Sequence, residues 1–405
     1  MSESVLASPS TAISREAVDH LSRARNEPEW LRGLRQRAFD AFERLPTPDQ
    51  RTEGWRRTSL RGLSFDDIRV APASGSVRIK SEARAIGMPL EVALEDRRVA
   101  PLVEKYFGQL VASDVDRFVA FHYAFFNSGV VIVVPRGSVV EQPIEVEYIA
   151  DSPLLAHTLL IVEDEADLSA VVEDVSGTPG FASGVVEQVL GANAHARYVQ
   201  LQRFDTATWN FSTQRAHLDR DAGLRTLNAA IGSRLARNAV QVVLQGRGSQ
   251  ADLLGIVDVA GRQHADFETL QAHYGDATRS DLVIHDALRD RASANFTGLI
   301  RIDRAAHQTE SSQEQKNILL SDSAKADSDP KLEILNNDVI RCTHGAAVGP
   351  VDEEMVFYLQ SRGLDRGTAE QLIVEGFFQS TLARLQLPSV EQAVWSAISA
   401  NWSEP

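Results

Sequence analysis

Residues 239–260 read AVQVVLQGRGSQADLLGIVDVA, two β-branched, partly alternating runs on either side of a turn at Gly246. Short runs of this kind bounded by turn residues are strand signals. The same texture recurs from about residue 125 to 345, in VVIVVP, IEVEYIA and GLIRIDR. Turn residues punctuate that region at Gly137, Asp151, Asp164, Gly177, Gly191, Asp205, Asp219, Gly232, Gly246, Gly261, Asp276, Asp290 and Asp303, at intervals close to fourteen. A strand-and-turn beat sustained this long predicts a β-solenoid rather than a closed sandwich, because each rung buries its apolar side only against its neighbours. No exact sequence repeat accompanies it.

Helical periodicity flanks this region. Leu21, Trp30, Leu31, Leu34, Ala38, Ala41, Phe42 and Leu45 recur at three- and four-residue spacings, with a helix start at Asn26 and Pro28 and a stop at Pro46 and Pro48. The connector GWRRTSL (54–60) reads as a surface or docking patch. After Pro350, Asp352–Gln360 carries Met355, Val356 and Leu359 on one side. Asp365 can cap a second helix bearing Ala369, Leu372, Ile373, Phe377, Leu382 and Leu385, which Pro388 ends. Ser389 with Gln392 is a capping-box pattern for a third. The apolar faces of these helices suit either packing on the solenoid end or docking of a partner. The expected organisation is a helical region with connector at 1–100, a β-helix core at 101–348 and a helical domain at 349–405.

Forty-one basic against fifty-six acidic residues give a net charge of −15, which disfavours phosphate backbones and anionic lipid surfaces. The single cysteine, Cys342, excludes an internal disulfide and removes an autonomous four-cysteine iron-sulfur site. The first twenty residues lack a basic n-region followed by an apolar h-region, and the longest aliphatic run, Val130–Val134, is too short to span a bilayer. A cytoplasmic protein is expected. Neither G-x-x-x-x-G-K-[ST] nor G-x-S-x-G occurs.

His264, His273 and His285 fall in RQHADFETLQAHYGDATRSDLVIHDALRD, among six aspartates and glutamates. Such density suits a metal site or an acid-base pair. It equally suits the turns and polar outer faces of a solenoid. A freestanding β-helical enzyme using residues 264–290 is therefore the alternative to be weighed against a non-catalytic chain.

Several ordered segments together resemble the SufB/SufD family, the scaffold subunits of the SUF iron-sulfur assembly system. They are AFFNSGVVIVVPRG (124–137), HADFETLQAHYGDATRSDLVIHDAL (264–288), TESSQEQKNILLSDSAKADSDPKLEI (309–334) and CTHGAAVGPVDEEMVFYLQSRGL (342–364). The resemblance extends more weakly to residues 26–49 with GWRRT and to AEQLIVEGF (369–377). It implies a right-handed parallel β-helix with helical N- and C-terminal regions. SufB-type chains carry a cysteine where this chain has Ala324 and a glutamate where it has His344, so the resemblance is to the SufD-like form.

What this implies centres on VIRCTHGAAVG (339–349). In a strand, side chains two apart share a face, so Cys342 and His344 either form a ligand pair or end a buried strand. The resemblance implies that His344 faces a SufB-like subunit at a transient iron-sulfur site, with no cofactor bound permanently; a role for Cys342 stays open. It also implies a SufC-like ATPase docked on the C-terminal helices, for which Met355, Leu359, Leu372, Ile373 and Phe377 are the candidate contacts.

Overall fold

A computed structural model describes residues 13–81 and 84–403; most of the segment read for a leader lies outside them. The chain is a parallel β-solenoid of about eight turns with helices at both termini. Its strands alternate between two sheets. One runs, in spatial order, Ser76–Lys80, Ile144–Ala150, Asp167–Gly177, His195–Phe204, Gly223–Gly232, Gln250–Val259, Arg279–Leu288, Thr309–Leu319, Val339–Pro350. The other runs Ile86–Pro89, Ser128–Val134, Leu154–Val162, Phe181–Leu190, Trp209–Leu218, Leu235–Leu244, His264–His273, Ser293–Ile302, Lys325–Ile334. Arg237 lies beside Asp266 and Asp266 beside Asn295, so one coil spans 29 residues there. The fourteen-residue beat is thus half a coil, one strand and its corner.

Inward side chains stack rung upon rung, and Val130, Ile132, Leu160, Val240, Val242, Leu253 and Val257 belong to one continuous core. Strand Leu154–Val162 is buried along its whole length because a second layer covers its outer face. That layer is N-terminal: helices Arg15–Ala24, Glu29–Arg44 and Arg117–Phe125 join Val131, Leu159, Phe181 and Phe211 in one cluster. The first two helices are broken at Asn26, whose φ of 49° ends one before Pro28 opens the next. Arg35 locks this layer. Fully buried, it donates to Glu27 at 2.6 and 2.7 Å and to the carbonyls of Ala124 and Phe126.

The GWRRTSL segment is only partly a surface patch: Arg56 and Arg57 are exposed, but its aromatic anchor is not. Trp55 is buried, stacked on Phe118 at 5.3 Å with the Arg237 guanidinium 4.0 Å from its ring centre, and Thr58 donates to Asp266. Tertiary docking overrides the polar look of the local sequence.

Helix Arg366–Leu385 is capped by Asp365, as expected, and helix Glu353–Ser361 by Asp352. Helix Pro388–Ser403 starts at the proline itself, ahead of the capping-box pattern. The helices do not seal the solenoid end. Val374, Phe378, Leu382, Val394 and Ile398 pack on its flank, against Val199, Leu201, Leu227, Leu254 and Ile256 of the first sheet.

The two ends of the solenoid differ. At the N-terminal end, Ser76–Lys80 and Ile86–Pro89 pair antiparallel and so terminate the parallel ladder. At the other end Lys325–Ile334 and Val339–Pro350 are the last strands, and nothing pairs with their outer edges among the described residues.

The interior also carries polar side chains, of which His273 gives a direct test. Its ring nitrogens lie 2.8 Å from Thr278 and Ser280 hydroxyls, and burial lowers its pKa from 6.5 to about 4. Between those values the unfolded chain binds a proton that the native chain refuses, so stability falls as pH is lowered through this window. The loss from pH 7 to pH 5 is about 2 kcal/mol for this group. Urea unfolding of His273→Gln should show that much less pH dependence than wild type; equal slopes would remove His273 from the acid response.

Candidate functional site

The last strand carries the residues singled out from the sequence. Cys342 continues the inward column of Ser280 and Ser311, and His344 that of Leu282 and Gln313. Strand alternation therefore sets both on the same face at the open end of the coil. Cys342 is half-buried and packs on Ile300, Ile302 and Ala306. His344 is exposed and its ring makes no hydrogen bond to a described residue, so it is not a satisfied core histidine. A side chain built on Gly345 would meet nothing within 4 Å, which leaves the adjacent surface open to approach.

Burial raises the Cys342 thiol above its ordinary value, so it stays protonated at neutral pH unless a metal or cation stabilises the thiolate. The imidazole can ligate without losing a thiol proton first. Two donors do not fill a four-coordinate shell, and among the described residues no group of three or more His, Cys, Asp or Glu converges. Metal held at this edge needs further donors from another molecule.

The surroundings are those of an uncovered surface. Leu332, Ile334, Leu335, Ile340 and Val348 are exposed along the two final strands and their connection, Ile340 at 64%. An exposed edge strand with apolar side chains is a template for pairing with another chain.

The histidines of residues 264–290 do not come together. His264 faces outward, its Nε2 3.1 Å from Thr58 Oγ1 and its Nδ1 2.7 Å from Ser293 Oγ. His273 points into the core. His285 lies on the other sheet, stacked on Phe377 at 4.2 Å, with Nδ1 2.9 Å from Thr381 Oγ1. The stretch is divided among three environments, and the constellation that the enzyme alternative needs is not assembled.

A relay-like group does exist elsewhere, among residues too far apart in sequence to be read as a motif. His157 lies 3.2 Å from Glu187 and 3.4 Å from His122, which in turn lies 3.2 Å from Ser183. All four are buried, and Glu187 also accepts from the amides of Gly108, Leu110 and Val111. The desolvated His122 is held neutral. This group clamps the 106–111 loop to the second sheet rather than facing a substrate.

Of the five candidate partner contacts, Met355 and Leu372 are exposed. Leu359 and Ile373 turn into the packing of the first two C-terminal helices, and Phe377 covers His285. Phe357 and Tyr358 were missed, yet Phe357 is 72% exposed. The signal was present: Met355–Leu359 is five apolar residues in a row, and a helix cannot turn five consecutive side chains to one face. Leu372 also lines a shallow cleft of about 340 Å³ with Glu375, Gly376, Gln379 and Trp395.

No helix among the described residues is long and apolar enough to cross a membrane. Residues 148–377 match the family described as SUF system FeS cluster assembly, SufBD core domain. The chain is 26% identical to the iron-sulfur cluster assembly protein SufD of Bacillus subtilis (strain 168), over 96% of this chain and 97% of that one. It is also 26% identical to SufB of the same organism, over 91% and 88%. An iron-sulfur cluster assembly SufBD family protein of Staphylococcus aureus (strain USA300) is 25% identical over the same shares.

Proposed function

Because the chain belongs to the SufBD core family of the SUF iron-sulfur cluster assembly system, we propose that it is a non-catalytic, SufD-like scaffold subunit of a SufBCD-type complex in the cytoplasm. Overall identity does not separate SufD from SufB, and the choice rests on Ala324 and His344, where SufB-type chains carry cysteine and glutamate. The observation that carries the proposal is the open end of the solenoid, with His344 on its last strand. A SufB-like subunit covers that edge and completes the ligand shell of a transient cluster, which is cargo rather than a resident cofactor. Soft and borderline donors shared between two chains release such cargo more readily than a closed cage of four thiolates.

Co-expression with SufB-like and SufC-like chains of the same organism tests this. The chain should purify with both and with iron and sulfide. Recovery of this chain alone, with the other two associated without it, refutes the scaffold role.

The ATPase docks on the exposed residues of the C-terminal helices. Removing residues 352–402 is a poor test, since it would uncover Val199, Leu227 and Ile256. Point changes are clean. Phe357→Ser with Leu372→Ser should weaken SufC-like binding at least about tenfold, as truncation of a few anchoring side chains does at other interfaces. Thermal unfolding should not change. Undiminished affinity would leave the helices as a brace for the solenoid only.

A further inference from the structure

A cleft of about 620 Å³ opens on the flank of the first sheet, where strands His195–Phe204, Gly223–Gly232, Gln250–Val259 and Arg279–Leu288 begin and helix Arg366–Leu385 ends. Four guanidinium groups line it: Arg197 and Arg225 from successive coils, Arg279 two coils further on, and Arg384 from the last turn of the helix. The carboxylates against them are fewer. Arg225 donates to Asp252 at 2.9 Å and Arg279 to Asp281 at 2.8 Å. Arg384 lies 3.6 Å from each of those two carboxylates and hydrogen-bonds to neither. Arg197 donates only to carbonyls, of Leu385 at 3.1 Å and Ser169 at 3.3 Å. With Asp167 on the rim, and with Glu310 beside Arg279 shared with Arg341 at 3.7 Å, five permanent cations face four carboxylates, in a chain whose net charge is −15.

Donor valence is in surplus too. Each guanidinium carries five N–H groups, and those of this cleft are mostly uncommitted. Arg225, Arg384 and Asp252 are all about three-quarters or two-thirds withdrawn from solvent, so the unmet donors are not simply dissolved in bulk water. Gly223 keeps the floor low, since a Cβ there would come within 2.5 Å of His195 Nδ1. A volume of this size is that of a small-molecule pocket.

We propose that this cleft binds a phosphorylated small molecule by its phosphate. A phosphate offers three acceptor oxygens and up to two negative charges, so it can take forks from several arginines on different sides at once, whereas a carboxylate brings two oxygens in one plane and a single charge. Bound there, it bridges Arg384 on the helix to Arg225 and Arg279 on the solenoid. The ligand thereby fastens the helix that bears Leu372 and Phe377 to the sheet beneath it. This inference rests on the cleft alone and holds whatever partners the open edge takes.

Titration calorimetry of the full chain with pyrophosphate, against chloride at matched ionic strength, is the test. Saturable one-to-one binding is expected, at least tenfold weaker in Arg279→Gln and in Arg384→Gln. Arg279 has a side chain more than half exposed, so its variant puts little at risk in folding. Amide hydrogen exchange in residues 380–387 should slow when pyrophosphate is present. Heats no larger than those of chloride, equal affinity in the Arg279→Gln variant, or citrate binding as tightly as pyrophosphate would each overturn the proposal.

Discussion

The His344→Ala variant, purified with its SufB-like and SufC-like partners, is expected to stay assembled and to lose at least about tenfold of its bound iron and sulfide. Changes merely next to a metal ligand already cost ten- to a hundredfold in affinity, and removing a donor should cost no less. The substitution is conformationally cheap. His344 is exposed and unbonded within its own chain, so truncating it opens no cavity and strands no buried partner. Cys342→Ser should matter less, because the half-buried thiol is held protonated and packs as a small apolar group against Ile300 and Ile302. Iron and sulfide analysis of both complexes decides it. A wild-type load on the His344→Ala complex removes the ligand role.

Arg35→Met is expected to have the largest effect on stability, on the order of 3–5 kcal/mol. The methionine can replace the stem of the side chain but none of its charge. Glu27, whose side chain is 1% exposed, would lose both of its short hydrogen bonds and keep only Arg25, with Nε 3.6 Å away. The carbonyls of Ala124 and Phe126 would also lose their donor, and the guanidinium would vanish from its place 3.5 Å above the Phe126 ring. Breaking a buried pair costs more than never having built one, so adding Glu27→Met should restore part of the loss. Denaturant unfolding of the single and double variants checks the sign. A single variant within 1 kcal/mol of wild type would mean that water reaches Glu27 in solution.

Much of this was legible before any coordinates. The beat of turn residues is a local property, since Gly and Asp sit where corners need them, and it survives without exact repetition. That two beats make one coil was not legible, because the corners on the two sides of a coil use the same residues. Parity was informative at the site. Cys342 and His344 are two apart and share a face, whereas His264 and His273 are nine apart in one strand and cannot. The helix cap at Asp365 followed from local chemistry. The course of the C-terminal helices up the flank did not, because it depends on outward residues of strands about ninety or more positions away. Trp55 failed for the same reason: its burial is supplied by Phe118 and Arg237, which no window around it contains. The exposure of the last strand was hidden as well, since nothing in VIRCTHGAAVG announces that no further rung is laid upon it.

The unlike ends of the solenoid set how far assembly can go. The starting end is blunt: its strands are only Ser76–Lys80 and Ile86–Pro89, run against the ladder, and offer Arg78 and Lys80 already paired with Glu147 and Glu145. Short, charged, proline-ended edges resist further pairing. A rod that is sticky at both ends grows into a fibre when its contacts are head to tail. This rod has one open end only, so a like chain that joins it there edge to edge closes the assembly at two rods and leaves no template for a third.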